Sequence, residues 1–95
     1  MAGNLYEDPK AMGEKAMDFH RAISSLMEEL EAIDYYNQRI AVTTDEDLKK
    51  ILIHNRDEEK EHAAMLIEYL RRTDPKFEHE LKDYLFTSKD FGEMG

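Results

Sequence analysis

From Glu14 to Ala41, and again from Asp45 to Arg72, the chain runs without a glycine or a proline. Those two residues carry the largest penalties inside a helix, so each stretch is free to form one helix of roughly 40 Å at ~1.5 Å per residue. Apolar residues recur at Ile23, Leu26, Met27, Leu30, Ile33 and Ile40, the three-and-four spacing of an amphipathic helix. Between the stretches, Val42, Thr43 and Thr44 are poorer helix formers, and Thr44 with Asp47 resembles a weak capping box for the second helix. So short a connection predicts an antiparallel hairpin.

Two cap-then-proline signals frame this hairpin. Asp8-Pro9 suggests a helix start that Gly13 weakens, and Asp74-Pro75 starts a third, short helix with Phe77, Leu81, Tyr84 and Leu85 on one face. The expected organisation is one all-α domain over residues 1–95. Its helices are expected at about 9–41, 45–72 and 75–86, with the third packed across a hairpin end and a tail over 87–95. Two long amphipathic helices and a short one cannot bury their apolar faces alone, so association with a second copy is expected.

Charge narrows the partners. With 22 acidic and 13 basic residues the formal net charge is −9, which repels phosphate backbones and anionic membranes and favours cations. No cysteine is present, so disulfides, thiolate metal sites and thiol catalysis are excluded. No apolar run reaches the ~20 residues of a membrane span, and residues 1–8 lack the pattern of a signal peptide; a soluble protein of the cytosol is expected.

Two carboxylates and an imidazole stand out within the apolar stripes. On the second helix the stripe Leu52, Asn55, Glu59, His62, Leu66, Tyr69 is polar at its middle, and on the first helix Glu29 breaks the line Ala22, Leu26, Glu29, Ile33, Tyr36, Ile40. A lone Glu-x-x-His is weak, since 13 Glu and 4 His give about 0.5 such pairs by chance. A satisfied polar cluster or solvent-reaching residues would be the ordinary explanation. Mid-helix placement on antiparallel partners is what favours a cation, because buried carboxylates need one or must be protonated. Carboxylates with imidazole suit iron, manganese or zinc. Bundle di-metal sites use a Glu from each of two helices and a Glu-x-x-His from each of two others; one chain holds half that set, and two copies hold all of it.

The segments Ser25-Leu26-Met27-Glu28-Glu29-Leu30-Glu31-Ala32-Ile33-Asp34-Tyr35-Tyr36-Asn37-Gln38-Arg39 and His54-Asn55-Arg56-Asp57-Glu58-Glu59-Lys60-Glu61-His62-Ala63-Ala64-Met65, with Tyr69-Leu70-Arg71-Arg72 and Tyr84-Leu85-Phe86-Thr87, closely resemble the encapsulated ferritins. The resemblance implies a ferroxidase that oxidises Fe2+ with dioxygen at a di-iron centre between two hairpins. It further implies homodimers joined into a ring, commonly a decamer, within an encapsulin shell of the cytoplasm. It places iron ligands at Glu29, Glu59 and His62, a site-lining tyrosine at Tyr36, and acidic positions where metal enters at Glu28 and Glu31. An aromatic follows at Tyr35, where many relatives carry Trp; a solvated acidic face is the plainer reading of Glu28 and Glu31 alone. Nothing after Phe86 matches the shell-docking peptide that the resemblance implies. The competing reading is a metal-stapled assembly module without catalysis, and a manganese or zinc bundle is a third. His20, His54 and His79 read as surface or packing residues, and Met12, Met17, Met27 and Met65 as core filling.

Overall fold

The computed structural model describes residues 4–95. Among them there is no strand: α1 spans Pro9–Met12, α2 Glu14–Val42, α3 Glu46–Thr73 and α4 Pro75–Tyr84, followed by a single 3-10 turn at Phe91–Glu93. Among the described residues no helix is long and apolar enough to cross a membrane. The chain is all-helical with the long helices of a ferritin-like fold, as the uninterrupted stretches imply.

The ends of the helices follow from their caps, with three departures from expectation. Gly13 takes φ 84°, a region costly for any residue with a Cβ, so the first helix divides there and one turn stands apart from α2. Asp45, rather than Thr44, caps α3, its carboxylate accepting the Leu48 amide at 3.1 Å. The last helix stops at Tyr84, and Phe86 then adopts φ 56° with its ring fully exposed. At Asp74 the carboxylate accepts both the Lys76 and Phe77 amides, at 3.0 and 3.1 Å. Pro75, which has no amide hydrogen to offer, takes the first helical position.

α2 and α3 pair antiparallel, and α4 packs on α3. The radius of gyration is 16.9 Å, against about 12 Å for a compact domain of this length. Such an extended shape buries little: only Ala22, Ala63 and Leu70 are buried among the described apolar side chains. The seam of α2 is the expected stripe Ala22, Leu26, Glu29, Ile33, Tyr36, Ile40, each member buried or half-buried.

On α3 the seam differs from the expected stripe. Leu52, Arg56, Glu59, Ala63, Leu66 and Leu70 face α2, whereas His62 and Tyr69 are exposed. Both patterns obey the same alternating three-and-four spacing, but the observed one buries Ala63 and Leu70 in place of an imidazole and a phenol. A rotation of about one residue thus carries His62, Met65 and Tyr69 onto a flank.

That flank forms an open groove with Asp18, Ala22, Ser25 and Leu66. Met65, at 65% exposure, and Met27, at 48%, are not core filling within one chain. Met27 shares an exposed apolar line with Ile23 and Leu30. These three each follow a seam residue by one position, while His62, Met65 and Tyr69 each precede one. In an antiparallel pair such flanks lie on opposite sides. The hairpin therefore presents two separate uncovered apolar faces.

At the α3–α4 junction Arg71 donates two hydrogen bonds to Glu68, at 2.7 and 2.6 Å, and a third to Glu78 on α4 at 3.2 Å. Arg72 donates to the same Glu68 at 2.6 Å. Hydrogen bonds from the Arg71 and Arg72 guanidiniums pull the Glu68 carboxyl down to about 2 from its ordinary 4.5. A carboxyl lowered on folding contributes stability that is fully present above its unfolded pKa and fades as pH falls through the folded one. The junction is thus expected to loosen between about pH 4.5 and pH 2. A carbon-detected NMR titration of Glu68 should show a midpoint near 2 that rises in Arg71→Met; an ordinary midpoint in the parent chain would contradict the bidentate pairing.

Candidate metal centre

Glu29 and Glu59 enter the seam from opposite helices, and His62 reaches their carboxylates from the flank one turn beyond Glu59. His62 Nδ1 lies 3.5 Å from Glu29 Oε2 and 3.5 Å from Glu59 Oε2. One ligand atom from each of the three falls within 4.8 Å of the others, and no other group of three potential ligands converges this way among the described residues. The two carboxylates are about one-quarter exposed and the imidazole about half.

The donor set itself favours a cation. Glu29 Oε2 is fully buried and makes no hydrogen bond, despite its nearness to His62. A buried carboxylate oxygen without a partner is unfavourable by roughly 1–3 kcal/mol or more, and the Glu59 carboxylate on the other side of the imidazole adds repulsion. A divalent ion among these atoms would satisfy that oxygen and offset both negative charges. Oxygen and imidazole donors without thiolate fit iron, manganese or zinc.

The remaining predicted residues lie around this centre rather than in it. Tyr36 sits in the seam one heptad beyond Glu29, half-buried, with the Arg39 guanidinium 5.6 Å from its ring centroid. Glu28 and Glu31 are exposed. Tyr35 donates a hydrogen bond from its hydroxyl to Glu31 Oε1 at 2.8 Å, and that bond to a carboxylate raises the phenol's pKa. A tryptophan could not make this bond to the same oxygen through a hydroxyl, so one oxygen of Glu31 is engaged in a way particular to the phenol. Glu28, by contrast, makes no side-chain hydrogen bond among the described residues.

His54 pairs with Glu58 at 2.9 Å and His79 approaches Asp83 at 3.8 Å, each within its own helix at the surface. His20 is half-buried on α2. Arg56 was not among the residues the stripe pattern singled out, yet it occupies the seam one turn before Glu59 and donates to Asn37 across it at 3.2 Å. Choosing the register that buries Ala63 and Leu70 would have revealed it.

Comparison with known proteins gives the family. The profile of the EncFtn-like family matches residues 4–88. An encapsulated ferritin-like protein of Rhodospirillum rubrum is 52% identical over 86 residues, which is 90% of this chain and 61% of that protein. The chain thus spans less than two-thirds of that relative's length. A ferritin-like protein of Thermotoga maritima is 50% identical over 94 residues, covering 99% of this chain and 82% of its own. An encapsulin nanocompartment cargo protein of Myxococcus xanthus is 50% identical over 48 residues, half of this chain and 37% of that one. A crystal structure of a Nitrosomonas europaea protein superposes with a TM-score of 0.89 at 59% identity, over 92% of this chain and 96% of that one. With the matched profile running through both long helices and the three converging side chains, this chain belongs to the EncFtn-like family.

Proposed function

We propose that the chain is a ferroxidase whose di-iron centre is completed by a second copy of itself. The observation that carries this reading is the convergence of Glu29, Glu59 and His62 around an unsatisfied buried carboxylate oxygen. Three donors are too few for two irons, and two copies supply four carboxylates and two imidazoles. His62 stands on the exposed groove beside Met65 and Tyr69, so pairing through that groove brings the second set to the first.

Fe2+ is the substrate. Each of two irons loses one electron and dioxygen takes up both. The carboxylates hold the ions close and stabilise the charge gained on oxidation, while His62 supplies a neutral nitrogen donor to each iron. Tyr36 lines the seam beside the centre, and Glu28 and Glu31 gather cations at its approach, with the Tyr35 hydroxyl regulating how free Glu31 is to bind.

A second uncovered face, along Ile23, Met27 and Leu30, lets such dimers join further, which suits a ring such as a decamer. A hairpin of this size encloses no mineral cavity. The names of the Rhodospirillum rubrum and Myxococcus xanthus relatives support a shell of encapsulin as the partner and compartment for stored iron.

Anaerobic titration of metal-free protein with Fe2+ is expected to saturate at one iron per chain and to shift native mass toward pairs. Admission of oxygen is then expected to give prompt uptake. Binding with pairing but without oxygen uptake would identify the metal as a structural staple, and absence of stoichiometric binding would return the three residues to a polar seam cluster.

A further inference from the structure

The three converging residues belong to two helices, so their meeting depends on how far α2 is slid along α3. Most of the seam is indifferent to that slide. Ala22, Leu26, Ile33 and Ile40 oppose Leu52, Ala63, Leu66 and Leu70, apolar against apolar, and a shift of one turn keeps apolar contacts in place. A seam of this kind needs a directional contact to choose one register, a role that polar residues at otherwise apolar heptad positions are known to fill.

Arg56 occupies such a position. Its side chain is 23% exposed, and Nη1 donates to Asn37 Oδ1 at 3.2 Å while Nε donates to Asp57 at 3.1 Å. Among the described residues, Arg56 to Asn37 is the side-chain hydrogen bond that joins α2 to α3. The other polar link across the seam is the Glu29–His62 contact itself. Asn37 and Asp57 each follow a seam residue by one position, so the guanidinium is drawn to the side of the hairpin opposite His62. The positive charge is thereby kept off the face where a cation would arrive, while the aliphatic stem stays in the seam next to Glu59.

We propose that Arg56, tethered by Asn37, is a positioning residue that locks the register of α2 against α3 and so brings Glu29 opposite Glu59 and His62. Its consequence for metal binding rests on the reading of those three residues as a cation site; the register lock itself does not. Arg56 touches no reacting atom. It acts through the helix that carries Glu59.

The test uses the full chain. Because the sequence has no cysteine, Lys15→Cys and Ala64→Cys, both at exposed positions, allow spin labels on α2 and α3 with the labelled protein diluted into unlabelled chains. In that background Arg56→Met keeps the stem length and removes the fork, and Asn37→Ala removes the same bond from the exposed side. Both are expected to keep helical content while the label distance broadens or shifts by about 5 Å, one helical turn. Anaerobic Co2+ affinity, followed by visible absorption, is expected to fall about tenfold, the low end for loss of a residue that orients metal ligands. Asn37→Asp, which retains an acceptor for Arg56, should keep both the distance and the affinity of the parent.

An unchanged single distance in Arg56→Met and Asn37→Ala would overturn the lock. Should Arg56→Met lose its helices, Asn37→Ala decides. Absence of Co2+ binding in the parent would remove the reading of the metal centre and leave the distance measurement to judge the register.

Discussion

Glu59→Gln is expected to lower the rate of iron oxidation on the order of a hundredfold or more, beyond the ~10–100-fold seen when a residue supporting a metal ligand is lost. In the proposed paired site the substitution would strike twice, removing one carboxylate from each copy. The amide keeps the size and shape of the half-buried Glu59, so its packing in the seam should persist. What changes is charge: a neutral amide is a poor donor to Fe2+ and leaves the Glu29 carboxylate with less opposition in the seam. The metal-free variant should therefore melt at or above the parent's temperature while failing to oxidise iron, the usual exchange of function for stability at a strained site. Stopped-flow absorbance of the ferric product, beside thermal unfolding by circular dichroism, measures both. A Gln variant oxidising iron at the parental rate would remove Glu59 from the centre.

Leu70→Ala should produce the largest loss of stability, about 2–5 kcal/mol, the range for deleting a buried leucine side chain. Leu70 is 2% exposed, and its carbonyl accepts the Asp74 amide at 2.9 Å where α3 hands over to α4. Few other side chains are so enclosed here, so the cavity has little surrounding material with which to collapse. Against a total of roughly 5–15 kcal/mol for a domain, this is a large share. Phe86→Ala, at a fully exposed ring, is the natural comparison and should move stability by less than about 0.5 kcal/mol. Denaturant melts of all chains at one protein concentration check this; equal midpoints for Leu70→Ala and Phe86→Ala would mean that Leu70 is not buried in solution.

Much of this architecture was legible because glycine, proline and capping residues act locally. The long stretches, the hairpin and the Asp74-Pro75 start all depend on neighbours in sequence. Glu29, Glu59 and His62 were legible as interruptions of apolar spacing, and they do converge. What spacing could not supply was rotation. Stripes through Asn55, His62 and Tyr69, or through Arg56, Ala63 and Leu70, satisfy the same period, and only packing against α2 selects between them. The cap at Asp45 rather than Thr44 is a similar case, where two adjacent oxygens could serve and the backbone decided. Tyr35's bond to Glu31 was hidden for another reason: it joins residues four apart on one helix, by a rotamer that sequence does not specify.

The outward position of His62 has a consequence for populations of chains. A copy that lacks this imidazole keeps its own seam, since Ala63 and Leu70 do the burying, and should still pair with normal copies. On the proposed division of the centre between two copies, complete centres in a random mixture are expected to decline as the square of the fraction of intact chains. Defective subunits would then silence healthy ones in proportion to dose, so a His62 variant is expected to act dominantly where a variant that cannot fold would merely be lost.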